Sequence, residues 1–426
     1  MRRRILLPLL AGDLAALLLG FAVAAQAVFN TWFPWHAPLH GEDSIWSLLG
    51  LMVTGLVVGS YLSVRMGPFG ARRPSYGRAV VIVVTSLFVT MAGIVITRGY
   101  WSRPYLAWTA TVWLIGSLAL RLAMRQRAWS ERVLIVSDEK RLVADLESSR
   151  HLTIVDLIDP SGDPPNGVLP GTTLVLDVRT ILSDDMAQFV TSWSLSGAPV
   201  RSLASVYEEH LGRLPLVHIA HGWELTTPVA KSEYEPLKRF IDLFLVVVTA
   251  PLWLLLAGPI WIAIRLDSPG AAIYAQTRVG RHGKPFTLYK FRTMVDNAEE
   301  AGPRFAARAD PRLTRVGRWL RRFRVDEIPQ LWCVLKGELS LIGPRPERPY
   351  FAEQFEHAIP FFAYRTLVRP GVTGWAQVNY GYADDVADTV EKLTFDLYYV
   401  KHMSIWLDLQ ILGRSVWTVL SGFGAR

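Results

Sequence analysis

The chain has 426 residues, 51% of them hydrophobic and 19% charged, with a net charge of +8. That length makes room for two or three domains, and so apolar a composition excludes a wholly soluble protein. A single cysteine, Cys333, excludes a disulfide framework within the chain and suits a reducing cytoplasm.

Residues 1–121 read as a four-helix transmembrane bundle. Apolar stretches at 5–29, 44–64, 78–97 and 104–120 are each near the ~20 residues a bilayer-spanning helix needs. "MRRR", "RMGPFGARRPSYGR" and "RLAMRQR" alternate with "NTWFPWHAPLHGEDS" and "RGYWSRP", which carry fewer cations and more interfacial Trp and Tyr. The positive-inside rule then places both ends of the bundle in the cytoplasm. A cleaved signal peptide is the rival reading of the first stretch, because "AVAAQA" looks cuttable. Asp13 within the apolar run and the spans that follow weigh against it. Asp13 itself is expected to snorkel or to pair with an arginine.

Residues 122–230 alternate strand and helix patterns. "RVLIVSD" (132–138), "LTIVDLID" (152–159) and "TTLVLDV" (172–178) read as buried parallel strands, with helices after the first and around 184–196. The pattern predicts a Rossmann-like α/β domain. A dinucleotide site needs a glycine-rich turn after the first strand, and "SDEKRLVADLE" there has no glycine. The domain is therefore read as structural or regulatory.

Residues 231–266 contain "FIDLFLVVVTAPLWLLLAGPIWIAIRL", flanked by Lys238 and Arg239 before and Arg265 after. Its length allows a fifth span. Pro251 near its middle breaks the helix, and cations on both flanks favour entry and exit by one face, a re-entrant membrane helix.

Residues 267–426 carry the chemistry. From Arg278 to Arg324 there are 13 Lys and Arg against 4 Asp and Glu, a stretch that suits nucleic acid, an anionic membrane or phosphorylated small molecules. "RVGRHGKPFTLYKFRTM" (278–294) predicts a hairpin turning at Gly283, with Lys290 and Arg292 on one face of its second strand. Such a pair is more often a solvated face than a site. "DPRLTRVGRWLRRFR" (310–324) predicts a basic amphipathic helix.

"RRFRVDEIPQLW" (321–332) then places Asp326 and Glu327 side by side. Asp326 reads as a helix N-cap, with Ile328, Leu331, Trp332 and Leu335 as the apolar face and Gly337 as the stop. Capping alone is the commoner use of such a pair. The arginine density upstream exceeds what two carboxylates need, and Arg345 follows between two prolines in "LSLIGPRPERP" (339–349). Carboxylates beside a phosphate site make sense if one binds Mg²⁺ and the other attacks. "VRPGVTGWAQVNYG" (368–381) adds Arg369 and two glycine turns. "EKLTFDLYYVKHMSIWLDLQIL" (391–412) reads as helices with Asp396 and Asp408 among aromatics, where a surface face of an interfacial helix is the bland reading.

Together, "YKFRTM", "RVDEIPQLW", "LKGELSLIGPRPERP", "RPGVTGWAQVN" and "FDLYYVKHMSIWLDL" closely resemble the bacterial sugar transferases that act on polyprenyl phosphate, the monotopic phosphoglycosyl transferases. The match covers about 230–426. The spans and the Rossmann-like domain resemble the larger subfamily that starts exopolysaccharide, capsule and O-antigen synthesis. The resemblance implies a small, mostly helical α+β catalytic domain on the cytoplasmic face of the bacterial inner membrane. It implies transfer of a hexose-1-phosphate from a UDP-sugar to undecaprenyl phosphate, with Mg²⁺, through a phosphoryl-aspartate. Carried over, Asp326 is the nucleophile and Glu327 the Mg²⁺ ligand. Arg321, Lys290, Arg292, Arg345 and Arg369 bind phosphate, Asp396 and Asp408 are acidic support, and Pro251 is the helix break. Two departures stand out: Arg324-Val325 where many members have Ser-Leu, and Ala250-Pro251 where many have Ser-Pro.

Rival readings are a lipid-binding scaffold, a phosphohydrolase that gives the phosphosugar to water, and a nucleic-acid binder. The last lacks any recognised module, so nucleic acid is not an expected partner. The expected partners are a UDP-sugar, undecaprenyl phosphate and membrane lipid. A homodimer through the spans or the α/β domain stays open.

Overall fold

The computed structural model describes residues 2–36, 45–65, 76–97, 101–126, 130–165, 167, 169–219, 234–295, 310–381 and 386–421. The basic loop at 66–75 and the boundary placed at 230/231 lie outside the described residues. The chain divides into two compact units, Met1–Glu131 and Arg132–Arg426.

The first unit is built from α1 (Arg2–Phe29), α2 (Ile45–Arg65), α3 (Tyr76–Thr97) and α4 (Arg103–Gln126). Each contains a stretch long and apolar enough to cross a membrane. Leu17, Phe21, Met52, Ile82 and Trp113 form its core. Asp13 meets Arg121 in a buried fork, with Nη1 donating to Oδ1 at 2.6 Å and Nη2 to Oδ2 at 2.7 Å. The acid in the apolar run is thus matched in charge and in hydrogen bonds, the condition for tolerating a buried ion.

The second unit opens with β1 (Glu131–Val136), α5 (Lys140–Glu147), β2 (Leu152–Ile158), β3 (Thr172–Leu176), α6 (Asp184–Leu195), β4 (Val200–Ser202) and α7 (Leu203–Leu211). The sheet order is β2-β1-β3-β4, and β1, β3 and β4 pair in parallel. Alternation along β1 sends Val133 and Ile135 to one core and Leu134 and Val136 to the other. In open parallel sheets a ligand lies beyond the strand ends where the order reverses, here β1 and β3. Side chains fill that place. Ser137 donates to Asp177 at 3.3 Å, and Arg179 donates to Glu139 at 2.7 Å and to Asp177 at 3.3 Å.

Next come α8 (Tyr234–Val248) and α9 (Ala250–Asp267), with only Thr249 between them. The break falls at Thr249-Ala250-Pro251. Pro251 sits in the first turn of α9, where its missing N–H costs nothing. The hydroxyl that Ala250 lacks is supplied one residue earlier, Thr249 Oγ1 donating to Leu245 O at 2.7 Å. Both outer ends of the broken helix pack on one body. Arg239 of α8 donates to Val334 O and Leu335 O, while Ile260 and Ile264 of α9 share a core with Phe291 and Leu320. Between them Val247, Val248, Leu252 and Leu255 are exposed.

The rest is mixed α and β. The hairpin β5 (Ile273–Val279) and β6 (Pro285–Phe291) is antiparallel and turns through Arg281–Gly283. Then follow α10 (Arg315–Arg322), a 3₁₀ turn at Val325–Glu327, α11 (Gln330–Lys336), β7 (Ser340–Ile342), α12 (Pro349–Ala358), a 3₁₀ segment at Phe362–Leu367, β8 (Gly371–Thr373), α13 (Trp375–Asn379), α14 (Val386–His402) and α15 (Ile405–Ser421). The basic helix expected over 310–324 is limited to Arg315–Arg322, capped by the Thr314 hydroxyl, which accepts from Gly317 N at 2.9 Å.

Gly371, within the 368–381 stretch where glycine turns were expected, opens β8 and comes into close backbone contact with Gly343. A Cβ at Gly371 would lie 2.0 Å from Gly343 N, and one at Gly343 would lie 2.4 Å from Arg369 O. The α/β domain docks on this part through α14. Leu214 N donates to Thr394 O at 3.0 Å, Lys401 donates to Glu208 at 2.8 Å, and Trp375 Nε1 donates to Gly212 O at 2.6 Å.

Candidate active site

Asp326 and Glu327 sit in the 3₁₀ turn before α11, with 8% and 9% of their surfaces exposed. The expected N-cap role of Asp326 is corrected by this placement, because Pro329 occupies that position. The helix starts late and its buried side is turned. Gln330, Cys333 and Val334 face inward, and Trp332, expected on the apolar face, is 54% exposed. Gly337 does end the helix, at φ 86°.

The two carboxylates are held differently. Glu327 Oε1 accepts from Lys290 Nζ at 3.2 Å and from Arg345 Nη2 at 2.7 Å. Burial opposes its charge, but Arg345 and Lys290 outweigh burial and hold Glu327 well below the usual carboxylate range. Among the described residues no hydrogen bond engages the Asp326 carboxylate. Burial first, and the Glu327 charge second, push its pKa up. The turn, not a helix N-terminus, thus sets its environment and buries it against a like charge. Burial also lowers Lys290 to about 8.

The cations expected around the pair separate into three groups. Lys290 and Arg345 touch Glu327 directly. Arg321 donates from Nε to Thr293 Oγ1 at 3.0 Å, and its charge acts on Asp326. Arg292 is turned elsewhere, toward the residues that follow α9. Its terminal nitrogens donate to Pro269 O, Ser268 O and Ser268 Oγ at 2.7–2.8 Å. Arg369 lies at the opposite end of α11, donating to Gly337 O at 3.2 Å and to Glu235 at 2.9 Å, a carboxylate it shares with Arg281.

Asp396 and Asp408 are both buried, not on a surface face. Asp408 accepts from Lys238 at 2.7 Å, Tyr234 at 2.8 Å and Tyr399 at 2.8 Å, tying the start of α8 to α14 and α15. Asp396 accepts from Arg365 at 2.7 Å. The buried Arg365 and Lys392 and the half-buried Glu347 are charges that the sequence reading did not single out. No local pattern marks them, since they meet across segments distant in the chain.

A cavity of about 260 Å³ opens beside Glu327 and Arg324, with Ile328, Leu331, Val372 and Val378 among its walls. Among the described residues no group of three or more His, Cys, Asp or Glu forms a ready metal cage. The pair does suit a hard cation that keeps its waters and takes further oxygens from a substrate phosphate, the usual manner of Mg²⁺. A buried, unbonded carboxylate beside a pinned one, ringed by cations, can attack an electrophilic phosphorus and hold the phosphate charge.

Residues 233–422 match the family described as bacterial sugar transferase. The chain is 40% identical over 288 residues to a UDP-N-acetylgalactosamine-undecaprenyl-phosphate N-acetylgalactosaminephosphotransferase of Aeromonas hydrophila, covering 66% of each chain. It is 40% identical over 202 residues to a UDP-glucose:undecaprenyl-phosphate glucose-1-phosphate transferase of Caulobacter vibrioides, covering 46% of this chain and 73% of that one. An undecaprenyl-phosphate galactose phosphotransferase of Salmonella typhimurium is 37% identical over 216 residues, covering 46% of this chain and 43% of that one. The chain thus spans 66% of the Aeromonas protein's length and less than half of the Salmonella protein's. The motif-bearing half of the sequence and the matched residues coincide, and the chain belongs to the bacterial sugar transferase family.

Proposed function

We propose that the protein transfers a sugar-1-phosphate from a UDP-sugar to undecaprenyl phosphate at the cytoplasmic face of the bacterial inner membrane. One observation carries this reading: Glu327 is pinned by Lys290 and Arg345 while Asp326 beside it has no hydrogen bond from a described residue. A general anion-binding surface has no use for that asymmetry. A nucleophile and its electrostatic support do.

In the first step an Asp326 carboxylate oxygen attacks the sugar-proximal phosphorus. The bond from that phosphorus to the bridging oxygen breaks, and UMP leaves with the electron pair. In the second step a phosphate oxygen of the lipid attacks the same phosphorus. The Asp326 O–P bond breaks, the carboxylate is restored, and a polyprenyl-diphosphate sugar results. Arg345, Lys290 and Arg321 hold charge on the transferring phosphate. Glu327 would hold Mg²⁺, which would supply Lewis-acid charge neutralisation there.

Exposed apolar residues at the middle of the broken helix, and its two ends anchored on one body, support a re-entrant insertion. That insertion sets the pair at headgroup depth, where a soluble donor and a lipid acceptor can both reach it. The α1–α4 helices support further spans in the same membrane. The relatives' names cover N-acetylgalactosamine, glucose and galactose, which supports a donor of the UDP-hexose class. Purified full-length protein in nanodiscs, given Mg²⁺, undecaprenyl phosphate and each of the three UDP-sugars, is expected to give UMP and a lipid-diphosphate sugar in equal amounts. Free sugar phosphate in place of the lipid product would favour a hydrolase.

A further inference from the structure

Arg345 lies on the segment "GPRPE" (343–347), in which the prolines at 344 and 346 have no N–H to give. The segment therefore cannot brace itself, and its carbonyls are held from outside. Pro344 O accepts from Gly371 N at 2.9 Å, and Glu347 O accepts from Val279 N at 2.9 Å. Pro346 O accepts from Arg278 Nη1 at 3.0 Å. Arg345 O accepts from Arg365 Nη2 at 2.8 Å. Four consecutive carbonyls are thus fixed by four donors from three places in the chain: the end of β5, Arg365 and Gly371.

Arg365 is the most committed of these. It is 5% exposed. It donates to Asp396 at 2.7 Å and to Glu347 at 3.3 Å, and Lys392 also donates to Glu347 at 2.7 Å. The Phe362 ring lies 5.0 Å below its guanidinium. Two buried cations thus face the buried Asp396 and the half-buried Glu347, an arrangement that fixes geometry tightly because any one charge is costly if left alone. The fixed object is the backbone of the residue whose side chain meets Glu327.

We infer that Arg365, backed by Asp396 and Glu347, is a positioning residue that sets the Arg345 guanidinium against Glu327 and the transferring phosphate. This rests on the proposed transfer only for its kinetic readout. Arg365 touches neither carboxylate of the pair, so its effect passes through Arg345. Arg365→Lys keeps the charge balance with Asp396 and Glu347 but loses the planar fork that reaches three acceptors at once.

The test is a double-variant cycle on full-length protein in nanodiscs, with hydrogen exchange measured alongside. Arg365→Lys is expected to lower kcat/KM about tenfold, and Arg345→Lys by more; the double variant should be no worse than Arg345→Lys alone, as for residues acting as one unit. Losses that multiply would overturn the inference. Exchange at the Gly371 and Val279 amides reads the segment without any substrate, and is expected to quicken in Arg365→Lys. Unchanged exchange in a folded variant also overturns it. Quickened exchange in a protein that transfers nothing would sink the proposed transfer and leave the positioning intact. Should Arg365→Lys fail to accumulate, Asp396→Asn, which keeps Arg365 and weakens one of its acceptors, enters the same cycle with the same two outcomes.

Discussion

At the scale of single residues, the proposed transfer predicts that Lys290 and Asp326 set opposite limits on its pH range. Burial pushes Lys290 down to about 8, so its positive charge is present below that pH and lost as pH rises through it. Burial and Glu327 push Asp326 up, so its nucleophilic form is lost as pH falls, from a higher pH than an ordinary Asp. A bell-shaped kcat/KM is expected, with the alkaline limb near pH 8. Lys290→Arg stays cationic and should remove that limb; a limb that persists would assign it to another group.

Arg292 gives a contrasting case. Its partners are Ser268 and Pro269, so Arg292→Met should cost about 1–3 kcal/mol of stability by removing these charge-assisted hydrogen bonds. The KM of the surviving folded protein should hardly change. A selective rise in KM for the UDP-sugar, with the melting temperature unchanged, would return Arg292 to the site. Sequence spacing grouped Arg292 with Lys290 because it could not show that Ser268 and Pro269 hold the Arg292 guanidinium. The Asp326–Glu327 pair and Arg345 were legible because their neighbours in the chain are unusual. Arg365, Glu347 and Lys392 were not, since their meaning arises only when segments 18 to 45 residues apart meet.

At the scale of elements, the contact between β7 and β8 carries the segment that presents Arg345. Gly371 is needed there because a Cβ would lie 2.0 Å from Gly343 N. Gly371→Ala must push the two strands apart, a backbone clash at or above the ~1–3 kcal/mol of ordinary overpacking. The expected result is a lower melting temperature together with a large loss of kcat/KM, since Arg345 moves with the strand. A drop in stability with full activity would show that Arg345 does not depend on that contact. The elements themselves were largely readable. Long apolar runs gave α1 to α4, and alternating strand and helix patterns gave the α/β domain. The start of α11 was misplaced because Pro329 suits a cap as well as a first turn, and only burial of the preceding 3₁₀ turn separates the two.

At the scale of the molecule, the broken helix Tyr234–Asp267 decides the topology of everything after it. Its outer ends pack on one body, so the segments before and after it are expected on the same side of the membrane. Single cysteines at Ser194 and Lys284, both exposed, placed in a Cys333→Ser background, test this with a membrane-impermeant maleimide. Labelling of both from one side of oriented vesicles is expected, and labelling from opposite sides would make the helix a crossing span.

The central claim is that Asp326 carries the sugar phosphate between donor and lipid. The direct measurement uses full-length protein in nanodiscs with Mg²⁺ and a sugar-labelled UDP-sugar, without lipid acceptor, beside Asp326→Asn. The account predicts a near-stoichiometric burst of UMP with label held at Asp326, absent in the variant. UMP that forms only after undecaprenyl phosphate is added, with no label on the protein, would contradict it.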